Sequence, residues 1–322
     1  MVNVKTGPDP RDMLILAALR AAGDRVSGQM LSARLGISRV ALWKRIARLK
    51  RFAYRIDGDH GGYRLVEEDA VVPAAFPDGR GVIYRSATAS TMDEAWILAE
   101  GGAPSGTLVI TDHQSAGRGR QGQAWASPGG GLYLTLVLRP RLPASHAACL
   151  ALEGARGLCQ WLQAAHGFRL EFLWPGDLMA AGRKVGGLFV ELAGPPEAPR
   201  FYLLGLGLRL EAGGSDPGLA DLMERPPLRR DLAAAVRDHL VAWAGAPWPR
   251  PAEWERHAPF LGGPVRLRDW QGREWAGLAR GFTAQGGLRL ADPATGQETT
   301  FQPDEVQHLR PAGATPGIGD LA

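Results

Sequence analysis

Sulfur chemistry is nearly absent from this chain: its 322 residues include two cysteines, Cys149 and Cys159, ten apart in one helical pattern. That spacing matches no metal-ligand set, no resident metal site is expected, and so few cysteines suit a reducing compartment. Long apolar runs are missing too. The stretch "LYLTLVL" falls far short of the roughly 20 residues that a membrane span needs, so no membrane partner is expected. The opening "MVNVKTGPDPRD" has neither an apolar core nor a cleavage site, which predicts no export signal and a cytoplasmic protein. Acidic residues vanish locally: residues 115–131, "SAGRGRQGQAWASPGGG", contain six glycines, two arginines and no carboxylate.

What is present points to several domains. An apolar share of 45% with 22% charged residues fits a globular chain, and the length favours more than one core. Residues 1–80 hold fourteen Lys and Arg against nine Asp and Glu, whereas the rest holds 23 against 24. The front of the chain therefore carries the polyanion-binding character.

That front reads as a winged helix-turn-helix over residues 1–65. "RDMLILAALRAAG" has helical apolar spacing and closes on Gly23. Ser27 is placed to cap a short helix, Gly36 to turn the chain, and Ser38 to cap a longer second helix. On that second helix Leu42, Ile46 and Leu49 form one stripe, with Lys44, Arg48 and Arg51 opposite. Ser38, Arg39, Lys44, Arg48 and Arg51 are the expected DNA contacts, suited to the major groove and its phosphates. "YRIDGDHGGYRL" supplies the two strands of a wing, and the Pro-containing acidic stretch 66–80 reads as a linker.

From Val82 strand-like and helix-like segments alternate, giving a mixed α/β domain over 81–258. Gly117, Gly119 and Gly122 fit G-x-G-x-x-G, but "QAWASPGGG" follows instead of the helix a dinucleotide fold requires, and no Walker A motif occurs. The remaining reading is a slack loop whose guanidiniums repel one another until an anion orders it as a lid. In "LWPGDLMAAGRKVGG" a hairpin would bring Asp177 and Lys184 to one edge, with glycines leaving room for a ligand. Residues 259–312 alternate at period two with tight turns, predicting a small SH3-like β-barrel before a disordered tail at 313–322.

Together "STMDEAW", "QSAGRGRQGQAW", "WPGDL" and "RKVGGLFVEL" resemble the BirA-type biotin–protein ligases, the bifunctional ligase/repressor class, over nearly the whole chain. The resemblance implies an α+β ligase domain using biotin and Mg-ATP to make biotinyl-5′-AMP. It implies transfer to a lysine of the biotin carboxyl carrier protein, and a homodimer that grips operator DNA. Position by position it implies that Ser90, Thr91 and Gln114, with Met92 beside them, contact biotin. Arg118, Gly119 and Arg120 correspond to the loop closing on biotin and the adenylate. Lys184 corresponds to the lysine bridging carboxylate and phosphate, and Asp177 to the motif aspartate. Arg120, Trp125, Gly176 and Lys184 fall in the nucleotide half. The catalytic set is then Lys184, Arg118, Arg120 and Asp177. Several positions depart from the family: Met92 and Gly176 replace asparagines, "GIGIN" appears as "GLGLRL", with Leu208 where asparagine is expected, and the loop lacks a late basic residue, with Gln121 and Gln123 in its second half. These departures leave open a second reading, a regulator whose degenerate ligase domain only senses biotin or its adenylate. A lipoate ligase fits the helix-turn-helix and "GRGR" less well.

Overall fold

The computed structural model describes residues 10–50, 54–68, 81–211, 217–244 and 251–312. The expected tail and most of the expected linker lie outside them.

At the front, α1 (Pro10–Ala22), α2 (Gly28–Leu35) and α3 (Arg39–Lys50) precede a wing of β1 (Tyr54–Asp59) and β2 (Gly62–Glu68). The caps form as the sequence predicts: Met30 N–H donates to Ser27 Oγ, and Ala41 N–H donates to Ser38 Oγ, each at 3.1 Å. Gly36 ends α2 at φ 61°, where a Cβ would be strained. Leu42, Ile46 and Leu49 are buried against Ile15, Leu16 and Leu19 of α1. Strand β2 runs to Glu68, three residues into the stretch expected to be linker.

The central sheet has seven strands: β3 (Val82–Arg85), β4 (Leu108–Thr111), β5 (Gly131–Leu138), β6 (Glu171–Leu173), β7 (Asp177–Ala180), β8 (Arg183–Ala193) and β9 (Phe201–Arg209). Their spatial order is β3-β4-β5-β9-β8-β7-β6, and only β3 and β4 run parallel. Helix α4 (Thr91–Glu100) covers one face. Helices α5 (Ala147–His166) and α6 (Arg229–Trp243) cover the other. The apolar runs of β4 and β5 follow from this, since a strand covered on both faces loses its alternation.

Glycine lets the two long helices approach. A Cβ on Gly157 of α5 would run into the His239 ring of α6. Beside it, Glu153 is 2% exposed and receives hydrogen bonds from Arg156, from Trp254 Nε1 (2.9 Å) on α7 (Pro251–Glu255), and shares one with His239 Nε2 (2.8 Å). Burial alone would raise the carboxyl pKa, but the bonds from His239, Arg156 and Trp254 outweigh it and hold Glu153 at about 2. A folded pKa below the unfolded one stabilises the protein above the ordinary carboxylate range, and that stability disappears as pH falls toward 2. Glu153→Gln should cost on the order of 3 kcal/mol at neutral pH. The gap in melting temperature between the two proteins should close between about pH 4.5 and pH 2, which thermal melts across that window would reveal.

The C-terminal strands β10 (Pro264–Asp269), β11 (Glu274–Phe282), β12 (Leu288–Ala291), β13 (Glu298–Phe301) and β14 (Val306–Pro311) form an antiparallel sheet in the order β13-β12-β11-β10-β14. The expected barrel is not closed: among the described residues no pairing joins the edge strands β13 and β14. Period-two alternation reports one buried face per strand and cannot distinguish an open sheet from a closed one.

Candidate functional site

A cavity of about 1360 Å³ opens where the central sheet, the arginine loop and the C-terminal sheet meet. Its walls include every residue to which the family resemblance gave a ligand role: Ser90, Thr91, Met92, Gln114, Arg118, Gly119, Arg120, Trp125, Gly176, Asp177 and Lys184.

One end is a satisfied polar network. Thr91 N–H and Oγ1 donate to Gln114 Oε1 (2.8 and 3.1 Å), Thr135 Oγ1 donates to Thr91 Oγ1 (2.9 Å), and Gln114 Nε2 donates to Ser127 Oγ (2.8 Å). Ser90 caps α4 through Met92 N–H. Met92 itself is 2% exposed and packs with Ala95, Val109 and Phe201 where it meets the cavity wall.

The other end is cationic. Arg120, Arg183, Lys184, Arg209 and Arg310 line it, against two carboxylates, Glu171 and Asp177. An excess of fixed positive charge in a partly enclosed space favours an anionic ligand. Hairpin β7–β8 forms as expected and brings Lys184 Nζ to 2.6 Å from Asp177 Oδ1. The same ammonium lies 5.3 Å from the centre of the Trp125 ring. The Trp125 indole rests over Gly187 and Gly207, cross-strand partners on β8 and β9 with no side chains to lift it. Its Nε1–H is buried without a hydrogen-bond partner.

The arginine loop departs from the slack, self-repelling segment expected. It is a folded hairpin: Trp125 N–H donates to Gly117 O (2.8 Å), Gly119 N–H donates to Gln123 O (2.7 Å), and Arg118 bridges Ala124. Gly117 is required here, because a Cβ would meet Trp125 O and the Ser127 and Gln114 side chains. Neither guanidinium is left to repel the other. Arg118 pairs with Asp93 (2.7 Å) and with Glu191, and these bonds raise its pKa against the effect of burial. Arg120 donates to three backbone carbonyls of the C-terminal domain, Pro303 (2.8 Å), Val306 (2.7 Å) and Gln307 (2.8 Å), and stacks 5.6 Å from the Trp270 ring centre. Burial lowers its pKa, opposed by Asp177 and Asp304.

Two family departures receive physical explanations. A Cβ at Gly176 would strike the carbonyl of Leu188, whose N–H donates to Gly176 O at 2.8 Å. No asparagine fits this backbone. Gly176→Asn, which restores the family residue, should therefore weaken rather than improve nucleotide binding, by roughly tenfold or more given the usual cost of overpacking. Titration of the variant with ATP checks this. Leu208 needs correcting: it is fully buried and absent from the cavity wall, whereas Arg209, fifth in "GLGLRL", lines it and donates to Lys184 O. Alternation along β9 sends residues 208 and 209 to opposite faces, so one position decides between core and site. Arg183, Arg209 and the strip from Gln307 to Pro311, which includes Arg310, are among the lining residues that motif reading missed.

On the N-terminal domain Arg39 and Lys44 are exposed on α3 and Ser38 serves as its cap. Arg48, expected on the open cationic face, instead pairs with the fully buried Asp12 of α1, which also holds Arg45 at 2.8 Å. Helix periodicity placed Arg48 opposite the apolar stripe but carried no information about a carboxylate on another helix. Arg51 lies outside the described residues. Among the described residues no group of three or more His, Cys, Asp or Glu is arranged to hold a metal, and no helix is long and apolar enough to cross a membrane.

The profile of the Biotin/lipoate A/B protein ligase family matches residues 84–198, and that of an HTH domain matches residues 11–64. Among similar proteins, the bifunctional ligase/repressor BirA of Escherichia coli is 30% identical over 298 residues, 86% of this chain and 91% of that one. The biotin–[acetyl-CoA-carboxylase] ligase of Paracoccus denitrificans is 34% identical over 225 residues, 64% of this chain and 92% of that one. The solved biotin protein ligase from Aquifex aeolicus in complex with biotin and ATP shares the fold, with a TM-score of 0.61 at 21% identity. It covers 72% of this chain and all of that one. The chain belongs to the biotin protein ligase family, in the class that carries a helix-turn-helix domain.

Proposed function

We propose that this chain joins biotin to a carrier protein in two steps and uses its N-terminal domain as a biotin-responsive DNA-binding repressor. The carboxylate of biotin attacks the α-phosphorus of Mg-ATP, forming the mixed anhydride biotinyl-5′-AMP as the bond to pyrophosphate breaks. A neutral lysine amine of the biotin carboxyl carrier protein then attacks the acyl carbon, AMP leaves, and the amine's proton passes to solvent.

The observation that carries this reading is that one cavity is lined both by the hydrogen-bonded Thr91–Gln114 network and by the cations around Lys184. Such a space suits a neutral ring with a carboxylate tail meeting a phosphate. In this reading Ser90, Thr91 and Gln114 face the biotin ring, and Lys184 neutralises charge that develops between carboxylate and phosphorus. Asp177 holds Lys184 in place until then, and Trp125 offers its ring to the nucleotide. The arginine hairpin, held by Arg120, keeps water from the anhydride. The Mg2+ arrives with the nucleotide. A cytoplasmic homodimer with two α3 helices suits a palindromic operator.

Incubation with biotin, Mg-ATP and a carrier domain should release pyrophosphate and add the mass of one biotinyl group to the carrier. Biotin binding without pyrophosphate would instead make the ligase domain a sensor.

A further inference from the structure

We infer that α3 selects operator sequence by covering thymine methyl groups with Val40 and Trp43, an inference resting on the reading of the N-terminal domain as DNA-binding. Val40 and Trp43 are 64% and 62% exposed, unusual for large apolar side chains on a helix whose other face is fully packed. At the helical turn angle Trp43, Ala47 and Val40 fall within a strip roughly 60° wide. Arg39 and Lys50 border the strip on one side and Lys44 on the other, all three exposed. An apolar centre between cationic margins complements a groove with phosphates on both walls. On the floor of the major groove the apolar group is the thymine 5-methyl.

Two further contacts favour this assignment. Asp12 binds Arg45 and Arg48, engaging two guanidiniums that would otherwise suit guanine edges. Among the described side chains of the wing, two charges are paired: exposed Asp57 lies 3.8 Å from Arg64, and Asp59 pairs with Arg25 at 2.9 Å. Base reading is thus left to the apolar strip, with Arg39, Lys44 and Lys50 on phosphates.

The full-length protein should be offered a pool of random duplexes, with and without biotin and Mg-ATP, and enriched sequences measured by fluorescence anisotropy. Replacing thymine by deoxyuridine at each enriched position should weaken binding about fourfold per contacted methyl, the effect of leaving one such group unburied. The double variant Val40→Ala with Trp43→Ala, with circular dichroism and melting unchanged, should bind the thymine and deoxyuridine duplexes equally, and Trp43→Ala alone should lose the preference at the positions it covers. Lys44→Ala should weaken all duplexes alike and lower the salt slope by about one ion. Equal binding of the deoxyuridine duplexes by the wild-type protein overturns the inference, as does thymine preference retained in full in the Val40→Ala, Trp43→Ala double variant. So does a Trp43→Ala protein that binds DNA normally but sediments as a monomer where the parent is a dimer, since that assigns the strip to a second copy. If no duplex is enriched at all, DNA binding itself fails and this inference with it, while biotin transfer to the carrier still tests the ligase.

Discussion

Lys184→Ala should reduce pyrophosphate release from biotin and Mg-ATP by about a thousandfold, the scale of removing a charge-stabilising donor from a transition state. Biotin affinity should stay within a few-fold, because the hydrogen-bonded end at Thr91 and Gln114 is built without this lysine. The side chain is 37% exposed, so truncation leaves no buried void and the fold should survive. Single-turnover release of pyrophosphate, set beside biotin titration by tryptophan fluorescence, separates the two effects. Adenylation within tenfold of the parent rate would strip Lys184 of its role. Asp177→Asn should act in the same direction but more mildly, since it frees the ammonium without removing it.

Arg120→Gly removes three hydrogen bonds to carbonyls at once. Charge-assisted bonds of this kind are each worth about 1.5–3 kcal/mol. Even one at the upper end, lost without replacement, corresponds to roughly a hundredfold change. The expected result is faster escape of the adenylate and biotin on lysines of bystander proteins, read by mass spectrometry of a mixture containing albumin. Arg120→Lys should recover little, because an ammonium cannot spread donors along a planar fork as a guanidinium does. Retention of the adenylate unchanged in both variants would mean that the hairpin does not seal the cavity.

Much of this was legible beforehand. Caps at Ser27 and Ser38 and the turn at Gly36 are local chemistry, written within four residues of where they act, and the helix-turn-helix followed from them. Asp177 and Lys184 met because a hairpin is also local. Contacts between distant segments were not legible. Nothing near Arg118 in sequence announces Asp93 or Glu191, and Arg48 gave no sign of Asp12, so the helix wheel left the Arg48 guanidinium facing outward. The arginine-rich loop seemed self-repelling because its neutralising partners are remote. At β9 the error was one of register, where a single position separates a buried leucine from a cavity arginine.

Arg120 is received by main-chain oxygens, and that has a bearing on how such a chain can change over generations. Oxygens of the peptide unit are supplied by whatever amino acid occupies a site, so the docking itself does not fix the identity of residues 303, 306 and 307, although packing still fixes Val306, which is buried in the core. The constraint falls on the curvature of that edge and on one guanidinium. The hydrogen bonds that dock Arg120 are thus set by the path of the main chain at 303–307 and by one guanidinium, not by a side chain chosen to match it.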